Sequence, residues 1–337
     1  MRRFRLLWVI GTAFILFALL PMITGPLVDL MWFREIGFQT VFSTEIVAKT
    51  ILFLIAAIGV YFFVAINTRI ATDGATTAPV LWRVSPELPP LDIGTSLSKV
   101  AKPLAFFLAF VFGVSATSAW MKMLQFTHAT PFGATDPVFG REISFYVFEL
   151  PAIAAVLGFL RTLVVITLAI SLFLHLLRGR VTLPPQRTGL ASPADKHVAA
   201  LLAAFLILTA IQAWMVRLPE LLYSTTGPLV GASYTDLHAR IPAIHIIAVT
   251  AVIGAALVIY GLLRRKIVWF TFLAFISYVG VSIVIGGLFP WAMQRFVVAP
   301  TELTRETPQL LNHIRATRAA WGLDKVESRA LTGDASL

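Results

Sequence analysis

Seven stretches of this 337-residue chain are each long and apolar enough to cross a lipid bilayer as a helix, a pattern that few soluble folds could absorb. They run Leu6–Leu30, Ile46–Ile66, Leu104–Met121, Ala152–Leu177, Val198–Val216, Ile241–Leu263 and Ile267–Met293. Roughly 20 apolar residues in a helix traverse a hydrocarbon core about 30 Å thick. Inside that core every backbone N–H and C=O must find its partner locally, so the chain is predicted to be all-α, a polytopic transmembrane helix bundle of about seven helices. The composition agrees, with 58% hydrophobic and only 13% charged residues. Residues 1–293 read as the membrane domain with its extracytoplasmic loops, and residues 294–337 as an extracytoplasmic tail that starts a soluble domain without completing it. The first stretch follows Met-Arg-Arg-Phe-Arg and lacks a small-x-small cleavage site, so it reads as a retained signal anchor.

Basic residues set the expected orientation, because Lys and Arg near short loops stay on the cytoplasmic side. One set of alternate segments holds Arg2, Arg3, Arg5, Arg69, Arg83, Lys99, Lys102, Arg178, Arg180, Arg187, Lys196, Arg264, Arg265 and Lys266, which is 14 of the 27 bases. The chain is therefore expected to be a multi-pass protein of a bacterial inner membrane, with the N-terminus cytoplasmic and the C-terminus outside. Asp73, Glu87, Asp92 and Asp195 are the acids among those bases, so this side carries the equivalent of the whole formal charge of +10. Anionic lipid headgroups account for such a basic face, and membrane lipids rather than nucleic acid are the expected partner. Trp32, Trp120, Trp214 and Trp291 fall at the outer ends and Trp8 and Trp269 at the inner ones, as interfacial belts require.

Enzymatic motifs are not what this sequence offers. It has no cysteine for a thiolate, disulfide or metal cluster, and it contains no nucleophile elbow, phosphate loop or dinucleotide fingerprint. No catalytic, cofactor or metal site is predicted. The candidate polar sites are Arg161, Asp236, His238, Arg240 and His245. On a helix Asp236 faces Arg240 and Tyr234 faces His238, while His245 lies two turns beyond. A metal site could recruit His238, His245 and Asp236 with His128 or Glu142, but no tight ligand motif accompanies them, and an ion-paired cap is the preferred reading. Arg161 lies inside the fourth stretch. If that helix begins at Pro151 the guanidinium sits near mid-membrane. If Ala152–Val156 instead form an interfacial turn, Arg161 snorkels to the outer headgroups, and this second case is favoured.

The remaining signals concern packing. Thr250 with Gly254, Ala251 with Ala255, and Gly113 with Thr117 set small residues four apart, where helix backbones approach closely. Gly286, Gly287 and Pro290 predict a bend or an early helix end. Pro79, Pro86, Pro89 and Pro90 make the Asn67–Lys102 segment an extended strip. In the tail, Thr307 suits an N-cap, Pro308 the first helical position and Gly322 a stop. Leu310, Ile314, Thr317 and Trp321 form a stripe expected to dock on the outer loops.

Those outer segments carry a resemblance. Trp32–Phe42, Asp136–Pro151, Gly231–Ala243 and Phe296–Val326, with its Ala-Thr-Arg-Ala-Ala-Trp-Gly-Leu-Asp run, resemble uncharacterised protein family 0182, large bacterial multi-pass membrane proteins. The resemblance implies a seven-helix membrane part followed by a large extracytoplasmic domain, and it assigns no catalytic residues. The expected role is an anchor or scaffold that presents outer loops or a domain to cell-envelope protein partners. The alternative is a transporter or channel component for an envelope substrate, and an intramembrane enzyme acting on lipid or peptidoglycan precursors is a third reading.

Overall fold

The computed structural model describes residues 20, 24–72, 81–82, 91–178, 193–225, 227 and 230–327, with backbone alone for 81–82 and 91–99. Helix dominates these residues, the conformation in which a long apolar segment satisfies its backbone hydrogen bonds within itself. Helix α1 occupies residues 24–35, α2 Gln39–Thr72, α3 Ile93–Thr117, the short α4 Trp120–Thr127, α5 Phe145–Leu177, α6 Pro193–Arg217 and α7 Asp236–Leu263. Helix α8 takes residues 267–298 and passes through a turn at Ala299–Thr301 into α9, Glu302–Ala320. Strand β1, Leu81–Trp82, pairs antiparallel with β2, Leu91–Asp92.

Among the described residues, six helical stretches are long and apolar enough to cross a membrane. They fall on α2, α3, α5, α6, α7 and the α8–α9 run, and each matches one predicted stretch. The first predicted span, Leu6–Leu30, lies outside the described residues except for Leu20 and the turns from residue 24 onward. The strip holding Pro79, Pro86, Pro89 and Pro90 also lies outside them.

Helix ends differ from the sequence reading where proline and hydroxyls intervene. Every π-turn among the described residues ends two residues before a proline: Phe145–Glu149 before Pro151, Ala213–Arg217 before Pro219, Asp236–Arg240 before Pro242, Val284–Leu288 before Pro290 and Met293–Val298 before Pro300. Proline has no N–H and its ring crowds the carbonyl four residues back, so a wider turn lets that carbonyl reach the next donor along. The stop or bend expected at Gly286, Gly287 and Pro290 is accordingly a widened turn, and the helix continues to 298. Ala152–Val156 likewise belong to the uninterrupted α5 and do not form an interfacial turn. The third span ends earlier than Met121. Thr117 Oγ1 and Ser118 Oγ donate to the carbonyls of Val114 and Ser115, and the chain tightens to three-residue turns before α4 restarts.

The membrane-length helices pack in the order α3, α2, α5, α6, α7, α8. Their seams are built from small residues. Ala105 and Ala109 of α3 meet Val60 and Val64 of α2 and Leu163 of α5, while Ala199 and Ala203 of α6 meet Ala255 and Val258 of α7 and Ala274 of α8. A Cβ at Gly254 would touch Leu206 and Ala274 at 3.4 and 3.6 Å, one at Gly113 would press on Phe53 at 2.9 Å, and one at Gly261 would overlap Phe270 Cβ at 2.6 Å. The predicted small-residue faces are thus seams between neighbouring helices. Large apolar side chains such as Phe106, Phe107, Phe173 and Phe275 point away from the bundle and are exposed.

Candidate functional site: two polar layers

Polar side chains collect at the two ends of the bundle. The cap end is where α5 and α7 begin and α6 and α8 finish. Leading into α5, Asp136 organises its loop by accepting hydrogen bonds from the N–H groups of Val138 (2.8 Å), Phe139 (2.6 Å) and Arg141 (2.8 Å) and from the Tyr146 hydroxyl (2.8 Å). Burial pushes its carboxyl up, but these donors outweigh that and hold it below the ordinary aspartate value. Glu142 does similar work, accepting from Phe132 N–H (2.7 Å), Gly133 N–H (3.1 Å), Ser144 N–H (2.7 Å) and the Ser144 hydroxyl. Its lone pairs are therefore spent on the loop.

The first turn of α7 carries the predicted constellation. Asp236 is fully buried and accepts from Arg240 Nη1 at 2.8 Å, from Ser233 N–H at 3.0 Å and from Ser233 Oγ at 2.9 Å. Tyr234 and His238 stack with ring centroids 4.0 Å apart, and Arg305 of α9 donates to the Tyr234 hydroxyl at 3.1 Å. Thr235 donates to Gln294 of α8. The tail helix is locked on by a carboxylate. Glu306, 1% exposed, accepts the Tyr234 N–H at 3.0 Å on both oxygens. Burial raises its carboxyl above the ordinary glutamate value, with Asp236 and Glu302 adding to the shift while the Tyr234 N–H and His238 oppose it.

Docking by Glu306 corrects three expectations about the tail. The helix starts at Glu302 rather than Thr307, because α8 runs into it almost without a break; Pro308 is interior, and the Thr307 hydroxyl donates back to the Leu303 carbonyl. The face turned to the loops carries Glu306, Gln309 and Leu310, which line a cavity of about 180 Å³ with Ser233, Leu237 and Pro137. Ile314 and Trp321, expected to dock, are 51% and 78% exposed, and Leu303 is 77% exposed. The stop is where the sequence puts it, at Gly322 with φ of 65°.

The other sequence-derived candidates are dispersed. His245 faces outward and accepts a hydrogen bond from Trp214 Nε1 at 3.1 Å, apart from the His238 stack. His128 sits beside Thr127 and the Leu124 carbonyl. Among the described residues, no three His, Cys, Asp or Glu side chains converge as metal ligands. Arg161 turns to the neighbouring helix and donates to Gln212 Oε1. A second cavity of about 500 Å³ at this end is lined by Arg217, Arg240, Glu220, Tyr223 and Thr225, a set able to meet an anionic group.

Sequence reasoning missed the far end altogether. There His175 of α5 and His197 of α6 stand with Nε2 and Nδ1 3.1 Å apart, and His197 Nε2 lies 2.7 Å from Asn67 Oδ1 of α2. All three are buried: 0% exposed for His175, 7% for His197 and 8% for Asn67. Thr167 and Ser171, on the same stripe of α5 as His175, are also fully buried, and among the described residues their hydroxyls meet no hydrogen-bond partner. The signal available in the sequence was the four-residue spacing Thr167, Ser171, His175 within an otherwise apolar helix.

Comparison with known proteins is consistent along the chain. A family model described as "Uncharacterised protein family (UPF0182)" matches residues 6–337. A UPF0182 protein of Cupriavidus necator is 33% identical over 325 residues, covering 95% of this chain and 35% of the relative. One of Micrococcus luteus is 32% identical over 326 residues, covering 93% and 30%, and one of Thermobifida fusca is 34% identical over 342 residues, covering 97% and 32%. The chain thus spans about a third of the length of these curated relatives. No solved structure matches it.

Proposed function

Since the chain belongs to the uncharacterised protein family UPF0182, we propose that it is an inner-membrane anchor whose cap end faces out of the cytoplasm and seats an extracytoplasmic polypeptide. The carrying observation is the tail helix's divided surface. One edge is tied to the bundle through Glu306 and Tyr234, and the adjoining stripe leaves Leu303, Ile314 and Trp321 exposed. A helix held rigidly with large apolar groups outward is a seat for another polypeptide. The relatives supply a candidate occupant, because about two thirds of their length lies outside the region they share with this chain.

Membrane residence rests on the six apolar helices and on their outward-facing phenylalanines, and the basic loops favour a cytoplasmic far end. The cavity of Arg217 and Arg240 suits the phosphate of a lipid headgroup. The test is a photo-crosslinking residue at Ile314 or Trp321 in the chain inserted in its native membrane. A protein adduct at these positions, with none from Phe275 on the flank of α8, is the expected result. Adducts to lipid alone would remove the anchor reading.

Transport of an envelope component is the second reading, favoured by polar groups that face neighbouring helices at two levels, Arg161 with Gln212 and His175 with His197. Fourteen residues separate Arg161 from His175 on α5, about 21 Å of helix.

A further inference from the structure

A third cavity, of about 710 Å³, opens between α2, α3, α4 and α5 and reaches Leu208 of α6. On α5 its lining runs from Ala155 to Val164, about 13 Å of helix, and on α3 from Ala119 back to Phe112. That is a little under half of a hydrocarbon core about 30 Å thick, so the cavity is about one leaflet deep and begins at the cap end. Its lining is apolar apart from Lys122, Ser115, Ser118 and Thr162, and the hydroxyls of Ser118 and Thr162 are turned back onto the Ser115 and Gly158 carbonyls. Such a space offers water few partners and suits a hydrocarbon.

Two glycines make the room. Gly59 of α2 and Gly158 of α5 line the cavity, and nothing among the described residues comes within 4 Å of a Cβ built on either. Gly113, Gly254 and Gly261 are different, since each lets a neighbouring side chain close in. An interior glycine weakens a helix relative to alanine, and at 59 and 158 no contact among the described residues offsets that. One cation marks the mouth. Lys122 of α4 is exposed, lines the cavity and pairs with no carboxylate among the described residues, whereas Lys49 is held by Glu45 and stands over the Trp120 ring.

We infer that this cavity holds one acyl chain of an anionic phospholipid from the leaflet at the cap end, with the phosphate against Lys122. The depth matches a chain confined to one leaflet, and the apolar wall matches its methylenes. The single charge on the lining is of the sign an anionic headgroup needs, and Trp120 lies two residues away, where indole rings meet headgroups. The lipid fills the gap that Gly59 and Gly158 leave between α2 and α5. This inference rests on membrane residence but not on the anchor reading, whose adducts at Ile314 and Trp321 stand or fall without it.

The experiment is photo-labelling of the full chain in phosphatidylcholine nanodiscs doped with phosphatidylglycerol that carries a diazirine in its acyl chain, with adducts located by peptide mass spectrometry. Adducts are expected within 52–63 and 155–164 in excess of those at the outward-facing Phe173 and Phe275. Unlabelled phosphatidylglycerol is expected to displace them about fivefold better than phosphatidylcholine, the factor that one base near an anionic headgroup supplies. Gly158→Phe, which fills the cavity, is expected to lose these adducts and keep those at Phe275, while Gly158→Ala keeps both. Lys122→Gln, an exposed change that disturbs no packing, is expected to bring the two lipids level. Cavity labelling no stronger than at Phe275, equal displacement by both lipids in the unaltered chain, or a lipid preference that survives Lys122→Gln would each overturn the inference. So would a photoreactive residue at Leu160 that crosslinks to protein, because another segment or a second copy would then occupy the space.

Discussion

Asp136 and Glu306 are both buried carboxylates at the cap end, and their titrations run in opposite directions. Asp136 has a folded-state value below its free one, so its contribution is fully present above the free value and is lost as pH falls through the folded value. Hydrogen exchange of residues 132–144 is expected to stay slow down to about pH 4 and to accelerate below it. Asp136→Asn keeps one acceptor oxygen but turns an amide donor on some of the four donors the carboxylate serves. It is expected to cost about 1–3 kcal/mol and to speed exchange in that loop already at neutral pH. Glu306 is the reverse case. Its raised value means the docked tail prefers the protonated acid, so docking is strongest near and below the ordinary glutamate value and weakens as pH rises through the raised one. Glu306→Gln retains an acceptor for the Tyr234 N–H without the charge, and limited proteolysis of the tail is expected to lose its pH dependence in that variant. Glu306→Leu strands the buried N–H and is expected to release the tail to external protease at all pH values.

Helices in this bundle meet where side chains are smallest, and proline decides how they turn. At the α7–α8 crossing Gly261 leaves no room for a Cβ, since Phe270 Cβ would lie 2.6 Å away. Gly261→Val is expected to separate the two helices at a cost of about 1–3 kcal/mol, seen as a lower midpoint in a thermal unfolding assay in detergent. Gly280→Ala is the matched control, because nothing lies within 4 Å of a Cβ there. It is expected to be neutral or to stabilise by up to about 1 kcal/mol through helix propensity. The small-residue spacing around Gly254 and Gly113 was legible in the chain itself. That Pro151, Pro242 and Pro290 continue in α-helix after a widened turn, while Pro219 and Pro300 lead into tighter three-residue turns, was not, because the outcome depends on which donor the freed carbonyl can reach.

Three membrane-length helices, α6, α7 and α8, lie between residue 178 and the tail, and if each of the three crosses, the segments on either side of them are expected in opposite compartments. Reporter fusions after Arg187 and after Asp334 are expected to register opposite compartments, the first cytoplasmic and the second external. The same compartment for both would mean that one of the three helices does not cross. The two polar layers then acquire different surroundings. The cap end holds a fixed network of carboxylates and backbone donors that positions α9, while the far end holds the chain of Asn67, His197 and His175.

Apolar run length and small-residue spacing alone determined the helical class, the number and order of the described spans, and their close seams, because both act along one helix or between sequence neighbours. The Asp236–Arg240 and Tyr234–His238 pairs were readable for the same reason, being four residues apart on one turn. Only the tertiary structure decided what joins distant residues. Glu306 lies outside the apolar stripe by which the tail was expected to dock, and its partner is a backbone N–H 72 positions earlier. His175 and His197 lie 22 positions apart on different helices, and Asn67 a further 130 from His197. A hydrogen bond needs two groups within about 3 Å in the right orientation, and periodicity carries no information on which faces of separate helices meet at that distance.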